Sequence, residues 1–111
     1  MSNLNDLTIP LSTLEFASDS TATATAHEWT VIQVGVLLQA VVEHHAKSLE
    51  EEGDLHSVSV TFDVSADAAT GTDVAFESRI DRKTRTLIFA SGIAKQNDRH
   101  LLKATVVYRI S

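Results

Sequence analysis

With 111 residues, a formal charge of -6 and no cysteine, the chain has room for one domain with one core, and disulfides, thiolate catalysis and zinc–thiolate sites are excluded. The acidic balance argues against a general nucleic-acid binder, which carries a basic stripe. A hydrophobic share of 43% beside 22% charged residues is that of an ordinary globular protein, and the lack of cysteine fits a reducing compartment.

The start, MSNLNDLTIP, lacks the basic residues and apolar core of a signal peptide. The longest apolar run, within Val31 to Val42, is about a dozen residues against the roughly 20 that span a bilayer. The expectation is a soluble, cytoplasmic protein with a single domain over residues 1–111, of which residues 1–12, with Pro10, are a poorly defined lead-in. From Thr13 to Ala26, two short β-prone segments flank Ser18-Asp19-Ser20, residues that turn the chain by hydrogen-bonding their own backbone. The alternation of Thr and Ala from Thr21 to Ala26 predicts a strand with a thin inner face.

His27 to Gly53 is the one stretch that reads as a long helix. Its first half, Val31 to Val42, is apolar almost all round, which a helix tolerates only when neighbours cover it on nearly every side. Two starts are open. Thr30-Val31-Ile32-Gln33 has the form of a capping box and begins the helix near Val31, whereas the β-branched Val31 and Ile32 are mediocre helix formers and leave a start near Val34. At the other end, Glu50-Glu51-Glu52-Gly53 puts glycine where a left-handed cap wants it, and three acids in the last turn oppose the helix dipole.

Beyond Gly53 the pattern changes to period 2. Val58, Val60, Phe62 and Val64 alternate with polar residues, as in a strand whose apolar face the helix covers. After a loop carrying Gly71, Asp73 to Ile80 places Val74, Phe76 and Ile80 on one face, and Asp81 to Arg85 is the next turn. Thr86 to Ala94 is continuously apolar and predicts a central strand, where Gly92 marks a bulge or a close backbone approach. Lys95 to His100 turns the chain into Leu101 to Ile110, with Leu102, Ala104, Val106, Tyr108 and Ile110 on one face. Short connections favour an antiparallel meander, so the class is α+β with the helix lying across one curved sheet.

Few side chains carry chemistry. His27 and Glu28 begin like a zinc-binding HExxH, but Val31 stands at the second His position; the pair is left to line a pocket ahead of the helix. His44 and His45 point about 100° apart on a helix and do not chelate one ion, and no metal is expected. Glu43, the first acid after Glu28, closes the apolar run; it is a catalytic carboxylate or an exposed partner of Lys47. Gln33 orients a substrate carbonyl or caps the helix. Arg82, Lys83 and Arg85 form a basic cluster that suits phosphates, or simply a polar hairpin turn.

This order of elements, with these residues, resembles the hot-dog fold, and within it the small acyl-CoA thioesterases of the phenylacetyl-CoA and 4-hydroxybenzoyl-CoA type, from about Thr13 to Ile110. That family often carries His-Gly-Gly at the start of the central helix and a catalytic Asp or Glu eight residues after the first Gly. Gly35 and Glu43 stand at that spacing, with Val34 in the His position and Val36 in that of the second Gly. In the turn of Arg82, Lys83, Thr84 and Arg85, Thr84 replaces a Gly that the family often has.

The resemblance implies one long central helix wrapped by a curved antiparallel sheet, and hydrolysis of an acyl-CoA with no cofactor beyond the coenzyme A of the substrate. It also implies a homodimer or dimer of dimers, with the site between the helix of one subunit and the sheet of its partner. In that site the Gly35 N–H, at a helix N-terminus, polarises the thioester carbonyl, and Glu43 is the nucleophile or the base that activates water. A start near Val34 keeps the Gly35 N–H free, whereas a start near Val31 takes it into the helix and favours a scaffold. The second reading is therefore a non-catalytic hot-dog protein that binds an acyl group or serves assembly. A dehydratase of the same fold has no convincing Asp and His pair here, and a cystatin-like barrel is the alternative fold.

Overall fold

A computed structural model describes residues 13–50 and 53–111; the expected lead-in with Pro10, and Glu51 and Glu52, lie outside the described residues. In chain order the elements are β1 (Glu15–Phe16), β2 (Thr21–Thr25), α1 (Val31–Leu49), β3 (Leu55–Val64), β4 (Asp73–Lys83), β5 (Leu87–Gln96) and β6 (Arg99–Ile110). All pairings are antiparallel, in one sheet of order β1-β2-β4-β5-β6-β3, with α1 lying across it. The class is α+β, as the alternation of periods predicts.

The helix takes the earlier of its two starts. Thr30 Oγ1 accepts from the Gln33 N–H at 3.3 Å, and Gln33 Oε1 accepts from the Thr30 N–H at 2.9 Å, which completes the capping box. Such a cap is worth about 1 kcal/mol, more than the few tenths that Val31 and Ile32 lose in propensity. At its other end the helix stops at Leu49 with Glu50 as cap, and Gly53 is not in the left-handed region that the sequence reading assigns to it. Tertiary ties set this end. Lys83 Nζ reaches Glu50 at 3.2 Å, and Asp54 and Ser111 exchange backbone hydrogen bonds that lead straight into β3. Gly53 instead serves close packing, since a Cβ there would lie 2.7 Å from Ile110 Cγ2.

Leu37, Leu38, Val41, Val42 and Ala46 bury the underside of α1 against Val74, Phe76, Ile88, Ala90, Ala104, Val106 and Tyr108. The bed under the helix is made of small residues. Ala90, Gly92 and Ala94 follow one another on the inner face of β5, and Gly92 pairs with Ala104. A Cβ on Gly92 would lie 2.7 Å from Val42 Cγ2 and 2.8 Å from Leu38 Cδ1, so the close-approach reading is the right one; the bulge in β5 is at Ala94/Lys95. The β4–β5 turn is shorter than Asp81 to Arg85, because β4 runs on to Lys83 and Thr84 Oγ1 accepts from the Leu87 N–H at 3.0 Å.

Two expectations of burial are overturned. β3 does not lie beside β4: residues 65–72 carry the chain over to β4, and β3 pairs with β6 at the far edge of the sheet. Because α1 beds chiefly on β4, β5 and β6, the face of β3 expected to be covered stays open, with Val58 55% and Phe62 40% exposed. For the same reason the helix is not wrapped on every side, and Ile32 and Val36 face outward, Ile32 at 60% exposure.

The bed predicts opposite behaviour for two glycines. Gly92→Ala lowers stability by about 1 to 3 kcal/mol through overpacking, read as a lower urea midpoint. Gly35→Ala meets only the ring of half-exposed Phe62, at 3.2 Å, and gains helix propensity, so its change stays under about 1 kcal/mol.

Candidate functional site

Residues three and four apart share a helix flank, and on α1 the set Ile32, Gly35, Val36, Gln39, Glu43 and Lys47 forms one such line. The flank faces β3, as the closeness of Gly35 to the Phe62 ring shows. Opposite it, Val60 and Phe62 stand on the same side of β3. The first half of this strip is thus apolar and open to solvent.

The second half is polar. The Glu43 side chain keeps 42% of its surface, with Lys47 Nζ at 4.0 Å from Oε1. Beyond it, a cavity of about 390 Å³ is lined by Lys47, Glu50, Gly53, Asp54, Leu55 and His56. Lys83 closes on Glu50 at that end.

Tyr108 of β6 belongs to the core. It pairs with Ser57 of β3, is fully buried, and its hydroxyl has no hydrogen-bond partner among the described residues. Burial first, and then the charge of Glu43, push the phenol well above its ordinary value of 10.0. A neutral O–H donor is therefore held within the field of a carboxylate.

The other predicted site residues divide between the two ends of the helix, about 28 Å apart for its 19 residues. At the N-terminal end, the Gln33 side chain serves the cap. His27 lines a pocket of about 270 Å³ with Thr13, Glu15, Thr25 and Asp73, and Glu28 is exposed. At the C-terminal end, Arg82 and Arg85 are exposed in and beside the β4–β5 turn, and Lys83 holds Glu50.

Gly35 is the fifth residue of the helix, past the four N–H groups that a helix leaves unpaired, so its N–H belongs to the internal ladder. The expectation of a free Gly35 donor is corrected by the cap at Thr30. Gly35 and Glu43 are moreover eight residues apart, about 12 Å along the axis, too far to meet at one carbonyl within a single chain.

His44 and His45 face different elements, as their 100° separation requires. His44 lies 3.7 Å from Asp19 and against Phe16, and His45 Nδ1 lies 2.9 Å from Ser78 Oγ. Among the described residues no group of three His, Asp or Glu converges, and no helix is long and apolar enough to cross a membrane. Sequence reasoning placed Tyr108 on an apolar face without a role; its signal is a lone hydroxyl on an otherwise aliphatic inward stripe. The His45–Ser78 pair, 33 residues apart, carries no signal in the sequence.

No family model matches the sequence, and no curated protein matches it. Solved structures do. Zebrafish thioesterase superfamily member 2 superposes with a TM-score of 0.79 at 14% identity, over 100% of this chain and 88% of that one. A putative thioesterase of Ralstonia eutropha JMP134, related to phenylacetic acid degradation, gives 0.73 at 15% identity, over 86% and 82%. A Streptococcus mutans UA159 protein bound to acetyl-CoA gives 0.73 at 11% identity, over 82% and 79%. The chain has the hot-dog fold, with one helix against a six-stranded curved antiparallel sheet.

Tyr108 is the only tyrosine, so tyrosinate absorbance reads it alone. Its folded pKa lies above the unfolded value, so its contribution to stability is fully present below pH 10.0 and is lost as pH rises through the folded value. Ionisation is expected to be delayed past the ordinary value, and Tyr108→Phe to be less sensitive to alkaline unfolding. A phenol that titrates normally in the folded protein would contradict the burial.

Proposed function

We propose that this chain hydrolyses an acyl-CoA thioester as a homodimer, with Glu43 as the nucleophile or as the base that activates water. One observation carries the reading: an exposed carboxylate ends an apolar strip, and a polar cavity begins one turn further on, at Lys47. A thioester with an apolar acyl group and a polar coenzyme matches that sequence of surfaces. The hot-dog fold shared with named thioesterases, one of the neighbours binding acetyl-CoA, supports it.

The acyl group lies along Ile32, Val36, Val60 and Phe62, and the thioester reaches Glu43. Coenzyme A then runs past Lys47 toward Lys83, Arg82 and Arg85, whose cations meet its phosphates. With Glu43 as base, a water gives up its proton as its oxygen adds to the carbonyl carbon. Collapse of the tetrahedral intermediate breaks the C–S bond and leaves a carboxylic acid and the coenzyme thiol. Donors for the oxyanion come from the first helical turn, where the N–H groups of Val31 and Ile32 have no partner within the helix.

That turn is about 18 Å from Glu43 along the same axis, twelve residues at 1.5 Å each, so the donors are supplied by the second copy. The unpaired edge of β3 and its open apolar face are what two copies would join about a two-fold axis, in a dimer or a dimer of dimers. His27, Glu28 and Gln33, at the N-terminal end of one helix, then belong with the Glu43 of the other.

A second reading rests on the capping box at Thr30. It withdraws the Gly35 N–H and favours a protein that binds an acyl group, or assembles, without turnover.

A panel of aryl- and acyl-CoA esters separates the two. Glu43→Ala is expected to lose about 10²- to 10⁴-fold in rate; equal rates for it and the wild type end the enzyme reading, and tight binding with no turnover selects the second. Phe62→Asp is expected to give monomers in light scattering and to lose activity, whereas an undisturbed dimer would remove β3 from the interface.

A further inference from the structure

We propose that the face of the sheet turned away from α1 carries a second binding site, which takes a small organic phosphate by its phosphoryl group. The site is a cavity of about 580 Å³ whose lining includes Glu77, Arg79, Ser91, Ile93, His100 and Lys103.

The strand register brings these side chains together. A Cβ on Gly92 would point at Leu38 and Val42, so Gly92 faces the helix and its neighbours Ser91 and Ile93 face the other way. Cross-strand partners share a face. Glu77 of β4 and Lys103 of β6 therefore flank Ile93 in one row, and Arg79 stands beside Ser91 in the next. Arg79 and Lys103 lie on opposite sides of β5, roughly 12 Å apart at their Cα atoms from two strand spacings and a two-residue step. Both side chains are long enough to lean over Ile93, and His100 joins them from the start of β6.

Charge decides the ligand. Glu77 is the one acid in the described lining, and Lys95 Nζ holds it at 3.3 Å. Arg79 gives its Nε to Asp81 at 3.1 Å and keeps the two terminal nitrogens of its fork. Lys103 has no ion pair among the described residues, although Asp63 is its partner across the ladder to β3. Donors from three strands thus meet at a cavity whose single carboxylate is already engaged. A phosphomonoester, with a charge of about -1.5 to -2 at neutral pH and three strong acceptor oxygens, is complementary to them.

Size calls for an organic body on that phosphate. The volume falls within the range of small-molecule sites, about 300 to 1,000 Å³, and far exceeds what a bare phosphate fills. Ile93 and the aliphatic stems of Arg79 and Lys103 give the body an apolar bed. The strip between α1 and β3 lies on the other side of the sheet, so this site is separate from Glu43 and stands whether or not the chain hydrolyses thioesters.

The test is a titration of the full chain with phenyl phosphate, followed by proton–nitrogen NMR, with inorganic phosphate and phenol as comparison probes. Saturable shifts are expected at the amides of Arg79, Ser91, Ile93 and Lys103. Phenyl phosphate is expected to bind about 10-fold more tightly than inorganic phosphate, and phenol not at all. Lys103→Gln and Arg79→Gln, both at exposed positions where folding tolerates the change, are each expected to weaken binding about 10-fold. Arg109→Gln, which removes a cation of the same face outside the cavity, is expected to leave it unchanged. Shifts that grow without saturation, or that appear at Lys47 and Lys83 instead, overturn the proposal. So do equal affinities for phenyl phosphate and inorganic phosphate, an affinity that Lys103→Gln and Arg79→Gln leave untouched, or one that Arg109→Gln lowers as much.

Discussion

How closely α1 approaches β5 governs what the rest of the sheet can do. Gly92, between Ala90 and Ala94 and opposite Ala104, leaves a bed shallow enough for Leu38 and Val42 to sit where a Cβ would otherwise be. The helix beds on β4, β5 and β6 and barely reaches β3. The edge strand β3 is left with its valines and Phe62 in view. The open apolar strip is a consequence of where the helix is held.

What was legible in the sequence was local. The capping box could be read from Thr30 and Gln33 because it needs only a spacing of three, and the alternation from Leu101 to Ile110 named its buried face correctly. Gly92 stood out by its setting in an apolar strand, but the choice between a bulge and a close approach needed the structure. The end of the helix was not legible, since Lys83 and Ser111, far along the chain, draw Glu50 and Asp54 out of the helical path. Alternation in β3 announces one apolar face but not which element covers it, and the crossover at residues 65–72 has no mark in composition.

The candidate site shows the same division. The spacing of Gly35 and Glu43 matches a family motif, yet the cap at Thr30 begins the helix four residues earlier than Gly35. Eight residues beyond Val31 stands the amide of Gln39, not a carboxylate. The charge of Glu43 acts on Tyr108 only because β6 packs under the helix, which no local pattern specifies. Charge tells a similar story: in a chain of net charge -6 the basic cluster of Arg82, Lys83 and Arg85 is legible in the sequence, but only the fold sets it, through Lys83 and Glu50, at the C-terminal end of the helix that carries Lys47.

The crossover of β3 also bears on how the chain is made. Leu55 pairs with Ile110 and Val64 with Leu102, so the edge strand leaves the ribosome well before its partner exists. At roughly 5 to 20 residues per second the wait is on the order of 2 to 10 s. During it, a β-prone segment rich in valine is exposed without a neighbour, the kind of segment that pairs with other nascent chains. Ser59, Thr61 and Asp63, alternating with those valines, act as gatekeepers of the opposite face while synthesis finishes.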